Sequence, residues 1–513
     1  MKVQVPDDKT QPAGDFPVKN KLTHGFMVAA PSGRSGKTVI CIGLSKILTE
    51  KGCKVQPFKK GPDYIDPSWL SAASGSICRN LDAFLMKKNI LLKSFEQASN
   101  DADIALIEGN MGLYDGIDRN GNGSSACLAR LLQIPVLLVV DTARMTRSVA
   151  ALIKGYQGFE PETRMAGVIL NNVSGARHAG KLIDAVEQYC KIPVLGTIPR
   201  DVGLNISERH LGLIPFKENA SGASVIEYIS RITEKHLDID GILKIAADSG
   251  KSNLNRGRQS KSAGQSKACS TPDFPVRIGV FLDRAFSFYY PENLEALTKG
   301  GAGIVFIDSM KDSTLPEIDA LYIGGGFPEL YLEELAANNT LMAQTADSIE
   351  NGLPVYAECA GLMYLCKGIC SNNRYYPMVG VIPSVIEICN KPQGHGYVEM
   401  EVVKENSFFP VGKVLQGHEF HHSTLIGTDV IECACRIKRG TGIDGYKDSI
   451  IYKNLFASYT HIHALGTPEW AGSFLSSALQ HKNRIKRKYP AANIVTPISE
   501  TGEPSRQVAG YRT

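Results

Sequence analysis

Two short runs in this chain carry chemistry, and each is incomplete alone. Cys359 lies in Pro354-Val355-Tyr356-Ala357-Glu358-Cys359-Ala360-Gly361-Leu362, and more than three hundred residues upstream stands Ser35-Gly36-Lys37-Thr38. A thiol between an apolar strand pattern and a helix pattern sits at a sharp turn facing a helix N-terminus, which favours the thiolate. Such a thiolate can split an amide and release ammonia. A Gly-Lys-Thr loop can hold ATP and so activate a carboxylate. One chain carrying both reads as an ATP-driven amidating enzyme.

The phosphate loop spans Ala30-Pro31-Ser32-Gly33-Arg34-Ser35-Gly36-Lys37-Thr38, between a strand and a helix. Backbone N–H groups around Gly33, Ser35 and Gly36 are expected to cradle phosphates at the helix start. Lys37 is expected to neutralise β/γ oxygens, and the Thr38 hydroxyl to ligate Mg²⁺. Pro31 stands where the usual first glycine would be. Ser32 replaces the lysine of deviant-loop membrane-cycling ATPases, which argues against that class. Mg-ATP needs hard oxygen ligands. Candidates are Asp63 and Asp66 in Lys59-Lys60-Gly61-Pro62-Asp63-Tyr64-Ile65-Asp66-Pro67, Asp141, and Glu108, which closes an apolar strand and opens the glycine-rich turn containing Asp115. Glu108 is placed best, at a strand's C-terminal end where ligands bind in such sheets. Thr38, Glu108 and Asp63 form the expected metal set.

For the thiol, the Ala360 N–H and the run Gly324-Gly325-Gly326 supply expected oxyanion donors. The base must be a histidine elsewhere. His418, His461 and His463 are the candidates, and His461 ends a strand-like segment late in the chain, in the order this arrangement demands.

These residues need elements to hold them. Apolar runs at Gly25–Ala30, Ile104–Ile107, Val136–Val140 and Val168–Leu170 alternate with helical stretches such as Val39–Leu48. A second alternation begins at Val276–Leu282 and continues through Ala320–Ile323 and Val355–Ala357. Both imply an α/β fold with mostly parallel sheets covered on two faces. The expected organisation is a disordered leader over 1–22, an ATP-binding domain over 23–245, and a Ser/Gly/Lys-rich linker over 246–275. An amidotransferase domain over 276–478 and a basic tail over 479–513 follow. The net charge of +4 over 513 residues gives no global pull toward nucleic acid. No apolar run reaches the length of a membrane span, and the polar N-terminus is unlike a signal peptide. Twelve scattered cysteines without a framework spacing suggest a reduced, cytoplasmic protein. Cys366-x3-Cys370 and Cys433-x-Cys435 have no matching second pairs for a metal site.

With both motifs in view, the chain resembles the cobyrinate a,c-diamide synthase family from Thr23 to about Leu475. The resemblance is carried by Gln56 to Pro67, Arg79-Asn80-Leu81-Asp82, Glu108 to Gly116, Glu208-Arg209-His210-Leu211-Gly212-Leu213, Phe286 to Leu294, Gly324 to Glu329, Glu358-Cys359, Gly417 to His421 and Ser458 to His463. It implies a dethiobiotin-synthetase-like P-loop domain followed by a flavodoxin-like class I glutamine amidotransferase domain. It assigns the nucleophile to Cys359 and the base to His461. Many class I members carry a glutamate two residues after that histidine; His463 stands there, so a Cys–His dyad is expected. The resemblance also implies adenine contact by Asn171, a substrate and acyl-phosphate region including Asp66, Asp115, His210 and Tyr289, and an oxyanion site at Gly326 and Ala360. ATP and glutamine are the implied co-substrates, with Mg²⁺. A tetrapyrrole polycarboxylic acid is the acceptor, cobyrinate before any sirohydrochlorin-derived ring, and a homodimer is allowed. Ser68-Trp69-Leu70 and Lys60 depart from the family pattern near the expected ring-binding edge.

Overall fold

The computed structural model describes residues 24–206, 208–209, 212–251, 276–427 and 431–488. The sequence expectations for the leader over 1–22 and for His210 fall outside the described residues.

The front half builds a seven-stranded sheet from β1 (Gly25–Ala29), β2 (Val55–Lys60), β3 (Arg79–Leu81), β4 (Ile104–Glu108), β5 (Val136–Asp141), β6 (Met165–Val173) and β7 (Val194–Pro199). Its order is β3-β2-β4-β1-β5-β6-β7, and every pairing is parallel. Strands buried on both faces read as continuous apolar runs, which is why β1, β4 and β5 were legible. The helix Lys37–Glu50 leaves β1 and packs beside the helix Gly222–His236. A small hairpin joins β8 (Glu208–Arg209) to β9 (Gly212–Leu213). The helix Ile239–Lys251 runs into the stretch expected to be linker. Its Ala246 is 1% exposed in the front core, and Ser249 Oγ accepts from Gly25 N at 3.2 Å. The Ser/Gly composition beyond it masked this last amphipathic turn.

The rear half contains β10 (Val276–Phe281), β11 (Ala302–Ile307), β12 (Ala320–Ile323), β13 (Val355–Glu358), β14 (Cys366–Ser371), β15 (Arg374–Pro377), β16 (Ile382–Ile388), β17 (Gly394–Val402), β18 (Val414–His421), β19 (Ser423–Ile426), β20 (Cys433–Arg439), β21 (Lys447–Tyr452), β22 (Leu455–Ser458) and β23 (His461–Ile462). A ten-stranded sheet runs β11-β10-β12-β13-β22-β21-β20-β17-β18-β23. Its first five strands are parallel and the remaining pairings antiparallel. Only Tyr459 and Thr460 separate β22 from β23, although four strands lie between them in the sheet. Ser458 and His461 can then be no more than about 11 Å apart, so the antiparallel half curls back on itself. That curl delivers His461 to the strand carrying Glu358 and Cys359. The final helix, Glu469–Lys488, extends past the point where a basic tail was expected to begin. Its Phe474 and Ala478 are buried in the rear core, Lys482 pairs with Asp319, and Arg484 donates to Asn351 O. The basic run is the wet face of an amphipathic helix.

Candidate functional site

The phosphate loop forms because Gly36 can take φ 94°, turning the chain from β1 into the helix that starts at Lys37. A side chain at Gly36 would meet the Asn171 amide nitrogen at 2.3 Å, and that amide donates to Ser35 O at 3.0 Å. Asn171, at the end of β6, thus braces the loop backbone. The space around Gly33 is open within 4 Å, while Ser35 is buried with its hydroxyl donating to Ser32 O at 3.0 Å. Lys37 Nζ donates to Ser32 O at 3.0 Å and Met111 O at 2.9 Å, bridging the loop to the turn after β4. Burial, then the nearby Lys59 charge, lower its pKa. Asp115 holds that same turn by accepting from Gly112 N at 2.8 Å.

Lys59 and Glu108 are register partners at the C-terminal ends of β2 and β4, so their side chains meet. Lys59 Nζ donates to Glu108 Oε1 at 2.8 Å and Asp66 Oδ2 at 2.5 Å, with Asp63 Oδ2 at 3.8 Å. Thr38 Oγ1 donates to Glu108 Oε1 at 2.6 Å and lies 3.5 Å from Asp66 Oδ2. Burial alone would push the Lys59 pKa down, but Asp66, Glu108 and Asp63 together raise it. Glu108 is raised by burial against the pull of Lys59, whereas Asp66 is lowered because Lys59 outweighs its burial. Asp63 is pushed up to about 7 by burial and by Asp66.

The sequence paired Asp63 with Thr38 and Glu108 as metal ligands; the geometry puts Asp66 nearer. Asp63 Oδ1 accepts from Ile65 N at 2.7 Å and from Asp66 N at 3.3 Å, starting the helix Ile65–Ser74. Among the described residues no group of three or more His, Cys, Asp or Glu side chains could hold a metal unaided. The donors nevertheless suit a magnesium ion carried by a polyphosphate: they are hard oxygens, and Glu108 Oε2 is buried with no hydrogen-bond partner among the described residues. Sequence reasoning left Lys59 out of the site. Its signal was a strand-end lysine beside a strand-end glutamate, visible only once β2 and β4 are paired.

In the rear half, Cys359 occupies the elbow between β13 and the helix Ala360–Leu365, with φ 48° and ψ −98°. A non-glycine residue held there costs about 1–3 kcal/mol and is typical of a nucleophile turn. Burial, then Glu329, push the resting thiol pKa up, while the Ala360 N–H toward the sulfur works the other way. The Cys359 cavity is lined by Gly326, Glu329, Met363, His421, His422 and Ser423 among others. His421 was outside the expected site. Its ring stacks on Tyr459 at 3.7 Å, and its Nδ1 donates to Ser423 O at 2.9 Å.

His461 packs against the glycine loop at Gly325. A Cβ at Gly325 would stand 2.4 Å from its Cε1 and 3.2 Å from its Nε2, so only glycine lets the ring approach. Its Nδ1 donates to Glu358 Oε2 at 3.4 Å. His418, the register partner of His461, stacks on it at 5.0 Å; burial, then His461 and His463, lower the His418 pKa. His463, at the position of the missing glutamate, turns away toward Glu292 Oε2 at 3.5 Å. Tyr289 was expected near the acyl phosphate, but its hydroxyl accepts from Gly324 N at 2.8 Å and donates to Phe281 O. It supports the glycine loop from behind.

The two halves meet at this point. Tyr64, between Asp63 and Asp66, stacks on Phe288 at 5.2 Å and lies 4.6 Å from Tyr290 and 5.4 Å from His461, ring centre to centre. Arg79 of β3 donates to Glu292 at 2.9 Å and Glu295 at 2.6 Å, and Tyr397 donates to Asp82 at 2.8 Å. Phe288 and Tyr290 therefore form an interdomain face, while Phe286 is buried in the rear core.

Comparison with known proteins agrees with both halves. Residues 26–214 match the family model of the CobQ/CobB/MinD/ParA nucleotide binding domain, and residues 277–469 match that of the CobB/CobQ-like glutamine amidotransferase domain. The chain is 44% identical to the cobyrinate a,c-diamide synthase of Magnetococcus marinus over 87% of its own length and 95% of the relative's. The Archaeoglobus fulgidus and Methanosarcina acetivorans synthases are 39% and 40% identical, covering 89% and 88% of this chain and 98% and 95% of theirs. A nucleotide loop and a buried elbow thiol, joined through one aromatic seam and matched over 87% to 89% of the chain by these relatives, place the chain in the cobyrinate a,c-diamide synthase family.

Proposed function

We propose that the protein uses ATP and glutamine to convert the a and c acetate groups of a corrinoid, cobyrinate, into carboxamides. The observation that carries this is the seam itself: Tyr64 links the Asp63/Asp66 cluster to the His461 ring. Glutaminase and phosphate site are neighbours in one chain.

Cys359 gives its proton to His461 and attacks the side-chain amide of glutamine. The Ala360 and Gly326 backbone N–H groups stabilise the oxyanion. The His461 imidazolium returns the proton to the leaving nitrogen, ammonia departs, and water hydrolyses the thioester to glutamate. In the front half, Lys37 exchanges its carbonyl partners for the β/γ oxygens of ATP. Thr38, Glu108 and Asp66 would hold Mg²⁺, which supplies charge neutralisation of the phosphates when bound. A ring acetate attacks the γ-phosphorus and releases ADP; ammonia then attacks the acyl phosphate, giving the carboxamide and inorganic phosphate.

The departures at Ser68 and Trp69 do not favour another ring. Trp69 is fully buried with its indole N–H donating to Ile214 O at 2.8 Å, and Ser68 Oγ donates to Ile65 O at 2.7 Å. Both serve packing.

Cys359→Ala tests the division of labour. Glutamine-driven synthesis should vanish while ammonium chloride still supports diamide formation. A folded variant that loses both activities would refute it.

A further inference from the structure

We propose that Glu358 completes the glutaminase as a third, positioning member, a Cys–His–Glu arrangement whose carboxylate precedes the nucleophile rather than following the histidine. The proposal rests on Cys359 and His461 being the glutaminase pair.

Glu358 is fully buried at the end of β13. Its Oε2 takes the Nδ1 proton of His461 as a hydrogen bond at 3.4 Å and accepts from the Tyr322 hydroxyl at 3.0 Å. Its Oε1 accepts from Ile462 N at 3.2 Å, fixing the backbone that presents the imidazole. A carboxylate only accepts, so this contact keeps the proton on Nδ1 and leaves Nε2 basic, facing the glycine loop. The position two residues after His461 cannot supply this group, because it is His463 and is engaged with Glu292. Asn293 locks the same segment, donating to Ile462 O at 3.0 Å and accepting from Ala464 N at 2.7 Å. Glu358 touches neither glutamine nor sulfur in this role. It sets the tautomer and orientation of the base and balances the imidazolium that forms when Cys359 loses its proton.

The test compares Glu358→Gln and Glu358→Asp with His461→Ala in the full chain. It measures kcat and KM for glutamine hydrolysis and the ammonium-driven synthesis rate. Glu358→Gln should lower glutamine kcat on the order of a hundredfold, within the range a positioned acid–base contributes. KM for glutamine and the ammonium-driven rate should be unchanged. Glu358→Asp, which retracts the charge by one methylene, should show the same selective loss. Wild-type glutamine kcat in Glu358→Gln beside an inactive His461→Ala would overturn the role of Glu358 alone. Equal loss of glutamine- and ammonium-driven rates would show a structural role and overturn it too. Persistence of glutamine turnover in His461→Ala would overturn the underlying pair itself.

Discussion

Lys59 shows how much one residue can hold in place before any ligand arrives. Its ammonium sits within 2.8 Å of both Asp66 and Glu108, in a site where Glu108 is entirely buried. Removing one partner of a buried charge set costs about 3–5 kcal/mol. Lys59→Met should therefore lower thermal stability clearly in the ligand-free protein. Added Mg²⁺ should restore more of the loss than it adds to the wild type, because it replaces the missing positive charge. Scanning calorimetry with and without Mg²⁺ checks this. Gly325→Ala is the complementary change in the rear half. Its new methyl would stand 2.4 Å from His461 Cε1, so glutamine turnover should fall more than tenfold, about 1.4 kcal/mol of barrier, while ammonium-driven synthesis persists. Equal rates with both nitrogen sources would contradict the placement of His461. At this scale the sequence was informative where function imposes a local motif. Lys37, Thr38 and Cys359 announce themselves by their neighbours in the chain. Lys59 and Glu358 do not, because the partners that define their roles, Glu108 and His461, come from other strands and no local spacing records those pairings.

Among the elements, the corner between β22 and β23 matters most. Asp448 is buried there. Its Oδ2 accepts from Ser458 Oγ at 2.8 Å and Thr460 Oγ1 at 2.7 Å, and its Oδ1 from Tyr459 N at 3.1 Å. One carboxylate thus fixes the turn that returns His461 to Glu358. Asp448→Ala would strand several buried donors, each worth about 1–3 kcal/mol. It should lower unfolding stability by at least about 2 kcal/mol and reduce glutamine turnover more than ammonium-driven turnover. Denaturant unfolding and the two rate assays decide. The parallel strands were readable as apolar runs, since both their faces are covered. The strands β14 to β21, most of whose pairings are antiparallel, were not, because strands such as Ile382–Ile388 alternate buried and more exposed positions and Arg374–Pro377 is largely exposed, so both resemble loops. Element ends were obscured in the same way: the helices reaching Lys251 and Lys488 finish in polar residues that read as linker and tail.

At the scale of the whole molecule, the seam between halves is an ionic and aromatic contact. Glu292 is held down to about 2: burial works upward, but His463 and Arg79 outweigh it. A depressed carboxyl contributes stability above its unfolded value near 4.5 and loses it as pH falls toward about 2. The seam should therefore loosen across that window. Arg79→Ala should move the loosening to higher pH, observable as hydrogen exchange around Tyr64 and Phe288. An unchanged exchange profile would detach Arg79 from the seam. No pattern in the sequence joined Arg79 to Glu292, separated by more than two hundred residues; only the docking of two complete domains does so.

The central claim is transfer of glutamine nitrogen to a ring carboxylate at the cost of ATP. The direct measurement supplies the purified protein with Mg-ATP, cobyrinate and glutamine labelled with ¹⁵N in its side-chain amide, then weighs the corrinoid. The account predicts two labelled carboxamides, with ATP converted to ADP and phosphate. Label appearing only as free ammonia, with the corrinoid mass unchanged while ATP and glutamine are consumed, would contradict it.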